Sequence, residues 1–589
     1  MKKMYLHVIV ILFFTLFSVI RAQAQAPDWN WGAGSVNPNY ICESWPIATD
    51  TMGNVYEAAM IFNPLFSGSG FVAFGADTIL TTEGFQIAVT STDSNGVFRW
   101  AVGSYGGSTA TSEPSITNIV SDPSGNVYLL GSYSYGVLGM GTRTLFNPTF
   151  HDDYFITKIN SSGNVLWMKD IAPWYDGAGS IYNYFGGISL DKDGNIYMAG
   201  SFSTATFTIG SITISNSASD SISSDIFLAK YDSSGTPLWV KSFGSKDSSD
   251  YVSGIAVSRE GDIYMAGMFY SDTLTIGSTV LTNPTPDTAR LPYCFTARFD
   301  NNGNALWARK GAALLTTADY SLVNSINTIY AITTDRWDNA YVVGAFADTM
   351  ALGADTIFNP TYHIGALFTK YDSSGNLKFG KIMTGSAIYF ATTGVAADDC
   401  GNVWACGQSY NTDGDGMFLS EYDTAGTLIT TFTEPDGGDD ACAVAVDKKG
   451  HLYVGGDYFV SPFFIGPDIL TTPSSEDEAL FVLKLSYPYP FCVDTDATNN
   501  TNESTQIVMQ QTQKLYVFPN PASTELTVSL SDQQISQISI YNFLGQTVYS
   551  QSFDSKQAQL DITSLPKGLY FIKVNGMDSY QEIKKFVKE

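Results

Sequence analysis

Short runs of alternating apolar and polar residues, broken at close intervals by Gly, Asp, Asn and Ser, dominate this chain. That period of two predicts strands rather than helices. One phrase recurs seven times: DTMGNVY (50–56), DPSGNVY (122–128), DKDGNIY (191–197), SREGDIY (258–264), DRWDNAY (335–341), DDCGNVW (398–404) and DKKGHLY (447–453). The Gly of each copy serves as reference, with Asp338 in its place in the fifth. Three residues before it stands Asp in six copies. Six before it is always β-branched: Ile47, Ile119, Ile188, Ile255, Ile332, Val395 and Val444. Three after it is always aromatic: Tyr56, Tyr128, Tyr197, Tyr264, Tyr341, Trp404 and Tyr453. Six after it is Gly in every copy but the first, which has Ala59.

This pattern is that of a β-hairpin. A β-branched strand ends at an Asp whose carboxylate bonds the turn's own N–H groups. Gly takes the positive φ, and an aromatic strand returns. A second hairpin follows in most copies, most clearly in FLAKYDSSGTPLWVKSFG (227–244). Two hairpins make a four-stranded antiparallel unit, and seven such units suit a seven-bladed β-propeller. The spacing averages about 66 residues, longer than a minimal blade of roughly 40–50. The excess is an insert between the hairpins, such as FGADTILTT (74–82) or ALGADTIFNPT (351–361), read as a flap on the face opposite the tight turns. The sixth copy lacks it. The seventh copy lacks its final strand, and Trp29 to Ser35 supply a matching one, so the N-terminus is expected to close the ring. An open β-solenoid is the competing architecture. The propeller is expected to span residues 25–488, and about residues 27–488 resemble the β-propeller repeat proteins of bacterial cell surfaces.

Composition narrows the picture. There are 30 Lys+Arg against 57 Asp+Glu, a net charge of −27. Such acidity excludes a nucleic-acid binder, which needs a basic footprint. The charge is concentrated: residues 25–512 carry 20 Lys+Arg and 50 Asp+Glu, whereas 513–589 are neutral. A basic start (Lys2, Lys3), an apolar run from Val8 to Ile20 and Ala22-Gln23-Ala24 read as a signal peptide over residues 1–24. No later run reaches the length of a transmembrane segment.

Residues 489–512 are polar and read as a flexible linker. The final segment, 513–589, reads as a small Ig-like β-sandwich. It carries Phe518-Pro519-Asn520-Pro521-Ala522, Ile540-Tyr541-Asn542 with Gly545-Gln546, Gly568-Leu569-Tyr570 and Lys584-Lys585-Phe586. In these motifs it resembles the type A C-terminal sorting domain of the type IX secretion system of Bacteroidota. The resemblance implies that Pro519, Asn520, Pro521, Tyr541, Asn542, Gly545, Gly568, Tyr570, Lys584 and Lys585 belong to the sorting signal. It also implies secretion machinery and a surface sortase as partners, and passage through the periplasm to the cell surface or medium. An ordinary Ig-like module is the bland alternative.

Catalytic chemistry is thinly supplied. The turn Asp residues recur by position and are scaffold, as are Trp100, Trp167, Trp239 and Trp307 between blades. HExxH, GxSxG and phosphate-loop motifs are absent from the sequence, and no cofactor is implied. The first strands show no repeat-breaking pair of acids. Two loops stand out on one face of the sixth blade: Asn411 to Gly416 and Asp436 to Asp440. The first resembles the opening of an EF-hand loop, with Tyr422 where the bidentate Glu belongs. Asp413, Asp415, Asp436, Asp439 and Asp440 could hold a structural calcium ion; solvated acidic turns are the alternative. The irregular blade-to-blade face should present Tyr105, Trp174, Tyr175, Asp176, Tyr182, Tyr184, Asp247, Asp250, Tyr251 and Tyr320. Aromatic rings beside carboxylates fit contact with glycan or protein. The cysteines admit a staple between Cys42 and Cys492, and Cys406 reads equally as a free thiol or a bond. The chain is therefore expected to be a non-enzymatic surface binding or adhesion protein. A surface-layer component and a propeller-type polysaccharide lyase or glycosidase are the rivals.

Overall fold

The structure, a computed structural model, describes residues 28–486 and 515–588. It leaves out the segments 36–40, 63–69, 82–84, 107–113, 149–152, 174–183, 218–222, 247, 284–291, 315–327, 347–348, 359–364, 384–388, 412–413, 434–438, 459–462, 466–467, 471–478, 519–521, 531–533, 543–546 and 577–580. Every named element is a strand. Two compact units divide the chain, Met1–Thr495 and Asp496–Glu589.

The first unit is a β-propeller. Its described strands build seven four-stranded antiparallel blades, each running from an inner first strand to an outer fourth. The inner strands are Ile41–Thr49, Ser115–Ser121, Tyr184–Leu190, Asp250–Val257, Thr328–Thr334, Tyr389–Ala397 and Asp439–Val446. They pack on one another in a closed cycle, the last against the first. Asp28–Gly34 pairs antiparallel with Ala479–Ser486 and is the outer strand of blade 7. The N–H of Ser35 extends the seam to the carbonyl of Leu480 at 3.1 Å.

Each hairpin turn follows the sequence logic. Asp50 Oδ1 accepts from the N–H groups of Met52 and Asn54, both at 2.9 Å. Gly53 takes φ 84°. The one departure, Asp338, is the one non-Gly residue with positive φ among the described residues, at 60°. Its neighbour in blade 4 explains its presence. There Ser258 replaces the turn Asp, so Tyr264 lacks the turn carboxylate that its counterparts bond. Asp338 reaches across from blade 5: its carbonyl accepts from the Tyr264 hydroxyl at 2.6 Å, and its carboxylate lies 3.6 Å from Arg298.

Apolar clusters fill the space between successive blades. One joins Tyr197, Ala199 and Leu228 of blade 3 to Val252, Met265 and Phe295 of blade 4. The outer-strand Trp residues pack against the following blade's outer turn: Trp307 Nε1 donates to the carbonyl of Ser373 at 3.0 Å. A further layer went unread in the sequence. Lys158, Lys230, Arg298, Lys370 and Lys484 share one third-strand position. Each covers the Tyr ring of the second strand at 4.7–5.4 Å. Lys158, Arg298, Lys370 and Lys484 also donate to a carbonyl in the next blade's outer turn: Ser233, Ser373, Thr424 and Ser94 in order. The last of these bonds closes blade 7 onto blade 1.

The flaps are short hairpins, such as Gly136–Met140 with Arg143–Asn147, and their position corrects the expectation. They leave the blades at the face opposite the turns, where second and third strands connect, but they do not stand on that face. They run down the outer flank, where the fourth strands have open edges. The flap of blade 2 hydrogen-bonds to the outer strand of blade 1 through Gly139 and Tyr105. That of blade 5 does the same to blade 4. An unpaired sheet edge is a liability that such covering removes. Blade 6 lacks a flap: its second and third strands, Val403–Asn411 and Gly414–Tyr422, pair directly.

The second unit is a sandwich of two sheets. One holds Leu515–Phe518, Glu525–Leu530 and Gln557–Asp561; the other holds Thr547–Ser555, Ile535–Asn542, Gly568–Gly576 and Gln581–Lys588. Its core joins Leu526, Val528 and Leu560 to Ile538, Ile540, Ile572 and Phe586.

Candidate functional site

Every inner strand carries a β-bulge at the same register. The pairing slips between Ser44 and Ile47, Ile116 and Asn118, Phe185 and Gly187, Val252 and Gly254, Ile329 and Ala331, Thr392 and Gly394, and Ala441 and Ala443. A bulge re-aims side chains and sits preferentially beside functional sites. The repeated Gly six residues after each turn is its counterpart. A Cβ on Gly267 would lie 2.0 Å from the carbonyl oxygen of Tyr251, and one on Gly344 would lie 2.2 Å from that of Thr328. The first copy, with Ala59 in place of Gly, has the wider bulge, Trp45-Pro46.

These bulges ring a central channel of about 850 Å³. Pro46, Thr117, Gly186, Ser253, Tyr330 and Thr393 line it at the bulge positions, above a belt that includes Ile47, Ile119, Ile188, Ile255, Ile332, Val395 and Val444. The belt is invariant in character across copies, whereas the bulge positions differ in every blade save for the shared Thr of blades 2 and 6. Tyr184 and Tyr330 are exposed, at 46% and 37%. Asn118 lies on the wall, and its buried Oδ1 has no partner among the described residues. Among the described residues that line the channel, Asp457 is the one carboxylate and none is Lys or Arg. The chemistry on offer is hydroxyl, amide and aromatic, with almost no formal charge.

The structure separates the residues expected to share a binding face. Tyr184 and Tyr251 start adjacent inner strands, and the Tyr251 ring meets Tyr270 edge-on at 6.2 Å. Asp250 starts the same strand as Tyr251 but is fully buried. Tyr105 ends an outer strand and lies against the flap Gly139, away from the channel. Trp174, Tyr175, Asp176, Tyr182, Asp247 and Tyr320 lie outside the described residues. So do Asp413 and Asp436. Asp415, Asp439 and Asp440 stand within strands rather than loops. Inner strands therefore do carry acids out of pattern: Asp250 in blade 4 and the Asp439-Asp440 pair in blade 7. They were misread because the sequence places the strand start too late.

No cluster of three or more His, Cys, Asp or Glu suited to a metal occurs among the described residues. Cys294 and Cys406 are buried free thiols, each pushed up to about 12 by desolvation, too high to supply a thiolate. Cys400 is disulfide-bonded. The side chains of Cys42 and Cys492 are outside the described residues. His451 is committed to its own turn, with Nδ1 2.8 Å from Asp447 Oδ2. In the sandwich, Tyr541, Asn542, Gly568, Tyr570, Lys584 and Lys585 lie on strands. The Tyr570 hydroxyl donates to the Pro566 carbonyl at 2.9 Å. Pro519, Asn520, Pro521 and Gly545 are outside the described residues.

Residues 516–589 match the family model of the secretion system C-terminal sorting domain. This tail marks the chain for export to the cell surface or extracellular space. Among curated proteins, an uncharacterized WD repeat-containing protein of Acanthamoeba polyphaga mimivirus is 26% identical over 221 residues, 33% of this chain. β-Agarase A of Zobellia galactanivorans is 37% identical over 65 residues, 11% of this chain. The chain spans only 14% and 12% of the lengths of these two relatives. Among solved structures, the β-propeller domain of the Trilobed protease from Pyrococcus furiosus aligns with 70% of this chain and 89% of its own, at 9% identity and a TM-score of 0.34.

Proposed function

We propose that this exported protein is a non-catalytic binding module whose propeller channel receives a neutral, hydroxyl-rich ligand, a glycan chain end. The single observation that carries this reading is the ring of bulges. In a scaffold repeated so strictly, seven re-aimed positions that vary among blades are where selectivity resides. Tyr184 and Tyr330 offer ring faces to sugar C–H groups, while Thr117, Asn118, Ser253 and Thr393 offer hydrogen bonds. A channel of about 850 Å³ falls within the roughly 300–1,000 Å³ of ligand sites. The strongly negative propeller and the channel without a basic side chain both disfavour uronate or sulfate polymers. A glycosidase needs two carboxyl groups about 5–9.5 Å apart, and among the described side chains that line the channel Asp457 is the single one.

A glycan array run beside a hydrolysis assay on surface polysaccharides tests this. Binding to neutral glycans without turnover is the expected result. Turnover, or binding confined to polyanionic glycans, contradicts it. Silence in both assays favours a structural surface-layer role.

A further inference from the structure

Where blades 3 and 4 meet, two carboxylates are buried side by side without a basic partner among the described residues. Asp225 begins the third strand of blade 3, and Asp250 begins the inner strand of blade 4. They are 2% and 0% exposed. The Asp250 N–H donates to the Ser224 carbonyl at 2.8 Å, which places the two acids on adjoining backbone. Counted along the sequence repeat, the corresponding positions are Gln86 and Pro114, Asp153 and Asn183, Tyr293 and Asn327, Gly365 and Phe390, Gly416 and Asp439, and Ala479 and Cys42. Two acids coincide at this junction alone, so the repeat does not require them.

Their surroundings are rich in oxygen and incompletely satisfied. Asp225 accepts from the Ser217 N–H at 2.6 Å, and its Oδ1 lies 2.8 Å from Ser217 Oγ. That same hydroxyl lies 2.8 Å from the Ser245 carbonyl, and its one hydrogen serves one of the two. Asp250 Oδ1 accepts from the Ser271 hydroxyl at 2.6 Å and the N–H groups of Ser271 and Tyr270 also support this carboxylate, but Oδ2 has no partner among the described residues. The Ser245 hydroxyl, over nine-tenths buried, has none either, although its backbone brackets Asp225. Leaving buried carboxylate and hydroxyl oxygens unmatched is costly. Burial pushes both carboxyls above their usual range, and Asp225 pushes Asp250 further.

We propose that Asp225 and Asp250, with oxygens of Ser217 and Ser245, hold a calcium ion that pins blade 3 to blade 4. The donors are all oxygen, which excludes the nitrogen and sulfur chemistry of zinc. Mg²⁺ keeps several waters in a strict octahedron, which a buried set of carboxylates and hydroxyls leaves little room for, whereas Ca²⁺ accepts irregular oxygen sets. A weak site suffices outside the cell, where calcium modules bind at roughly 10⁻⁴–10⁻³ M.

The test uses the mature full chain freed of metal with a chelator. Calcium is titrated by calorimetry, Tb³⁺ by tyrosine-sensitised luminescence with Ca²⁺ competition, and melting is followed with and without Ca²⁺. The expected result is a dissociation constant in that millimolar range and a higher melting temperature with Ca²⁺. Asp225→Asn and Asp250→Asn should each weaken affinity by roughly 10–100-fold, with Asp415→Asn and Asp439→Asn without effect. Identical melting of the wild type in Ca²⁺ and chelator overturns the proposal, whatever the variants do. So does calcium binding that survives both Asp225→Asn and Asp250→Asn, or that disappears in Asp415→Asn or Asp439→Asn.

Discussion

Two glycines of blade 5 separate backbone strain from the seating of one blade on the next. Gly375, in the outer turn, has φ 77°, and Gly353, in the flap turn, has φ 65°. A Cβ on Gly353 meets nothing within 4 Å, whereas one on Gly375 would stand 2.6 Å from the ring of Trp307 in blade 4. Gly353→Ala therefore adds only left-handed strain, about 1–2 kcal/mol. The stiffer unfolded chain returns about 0.4–1 kcal/mol, leaving a loss near 0.5–1 kcal/mol. Gly375→Ala carries those terms plus overpacking of about 1–3 kcal/mol against the indole, since Trp307 is pinned by its own bond to Ser373. For a unit of this size the unfolding entropy is on the order of 1 kcal/mol/K, so 1 kcal/mol is roughly 1 °C. Calorimetric melting should place Gly375→Ala about 2–4 °C below wild type and Gly353→Ala about 1 °C or less below it. Trp307→Leu should remove most of the difference between the two. Equal shifts for the two alanines, or a difference that persists without the indole, refute the inter-blade seating described here.

Three further outcomes follow from the same geometry. Deleting residues 25–34 removes the outer strand of blade 7 and bares the edge of Ala479–Ser486, so melting should fall by at least several degrees and size-exclusion should show self-association. Asp447 is held below the usual carboxylate range: burial opposes this, but bonds from His451 and the Lys449 N–H outweigh it. A depressed carboxyl stabilises the fold above its unfolded value near 3.8 and loses that contribution as pH falls through the lower folded value. Asp447→Asn should therefore melt below wild type at pH 7 by about 1–3 °C, with the gap closing as pH falls below 3.8. Removing residues 515–589 should leave the propeller folded but held inside the outer membrane, as cell fractionation would report; surface or medium levels equal to wild type contradict the sorting role of the tail.

Much of the scaffold was legible because it rests on local rules repeated seven times. Asp50, Gly53 and Tyr56 declare a hairpin from neighbouring residues alone. The closing strand was legible too, since blade 7 lacked an outer strand and the Trp29-to-Ser35 segment had no other partner. The flaps were misplaced because their position depends on the open edge of another blade, which local sequence does not record. The channel ring escaped for a related reason. Its signal was present, in a repeated Gly paired with variable residues such as Tyr330 and Thr393, but a bulge is a two-strand event. Asp250, which its place between blades suggests for an exposed loop, is a buried strand residue, and its neighbour Asp225 carries no sequence signal that sets it apart.

The central claim is that ligand selectivity lies at the bulge ring of the channel. Isothermal titration of the array's best neutral glycan against wild type, Tyr184→Ala, Tyr330→Ala and Tyr105→Ala addresses it directly. Loss of one stacking ring should cost about 1–2 kcal/mol, weakening binding roughly 5–30-fold in Tyr184→Ala and Tyr330→Ala, while Tyr105→Ala on the outer flank binds as wild type. Undiminished affinity in both channel variants, with melting unchanged, would contradict the account.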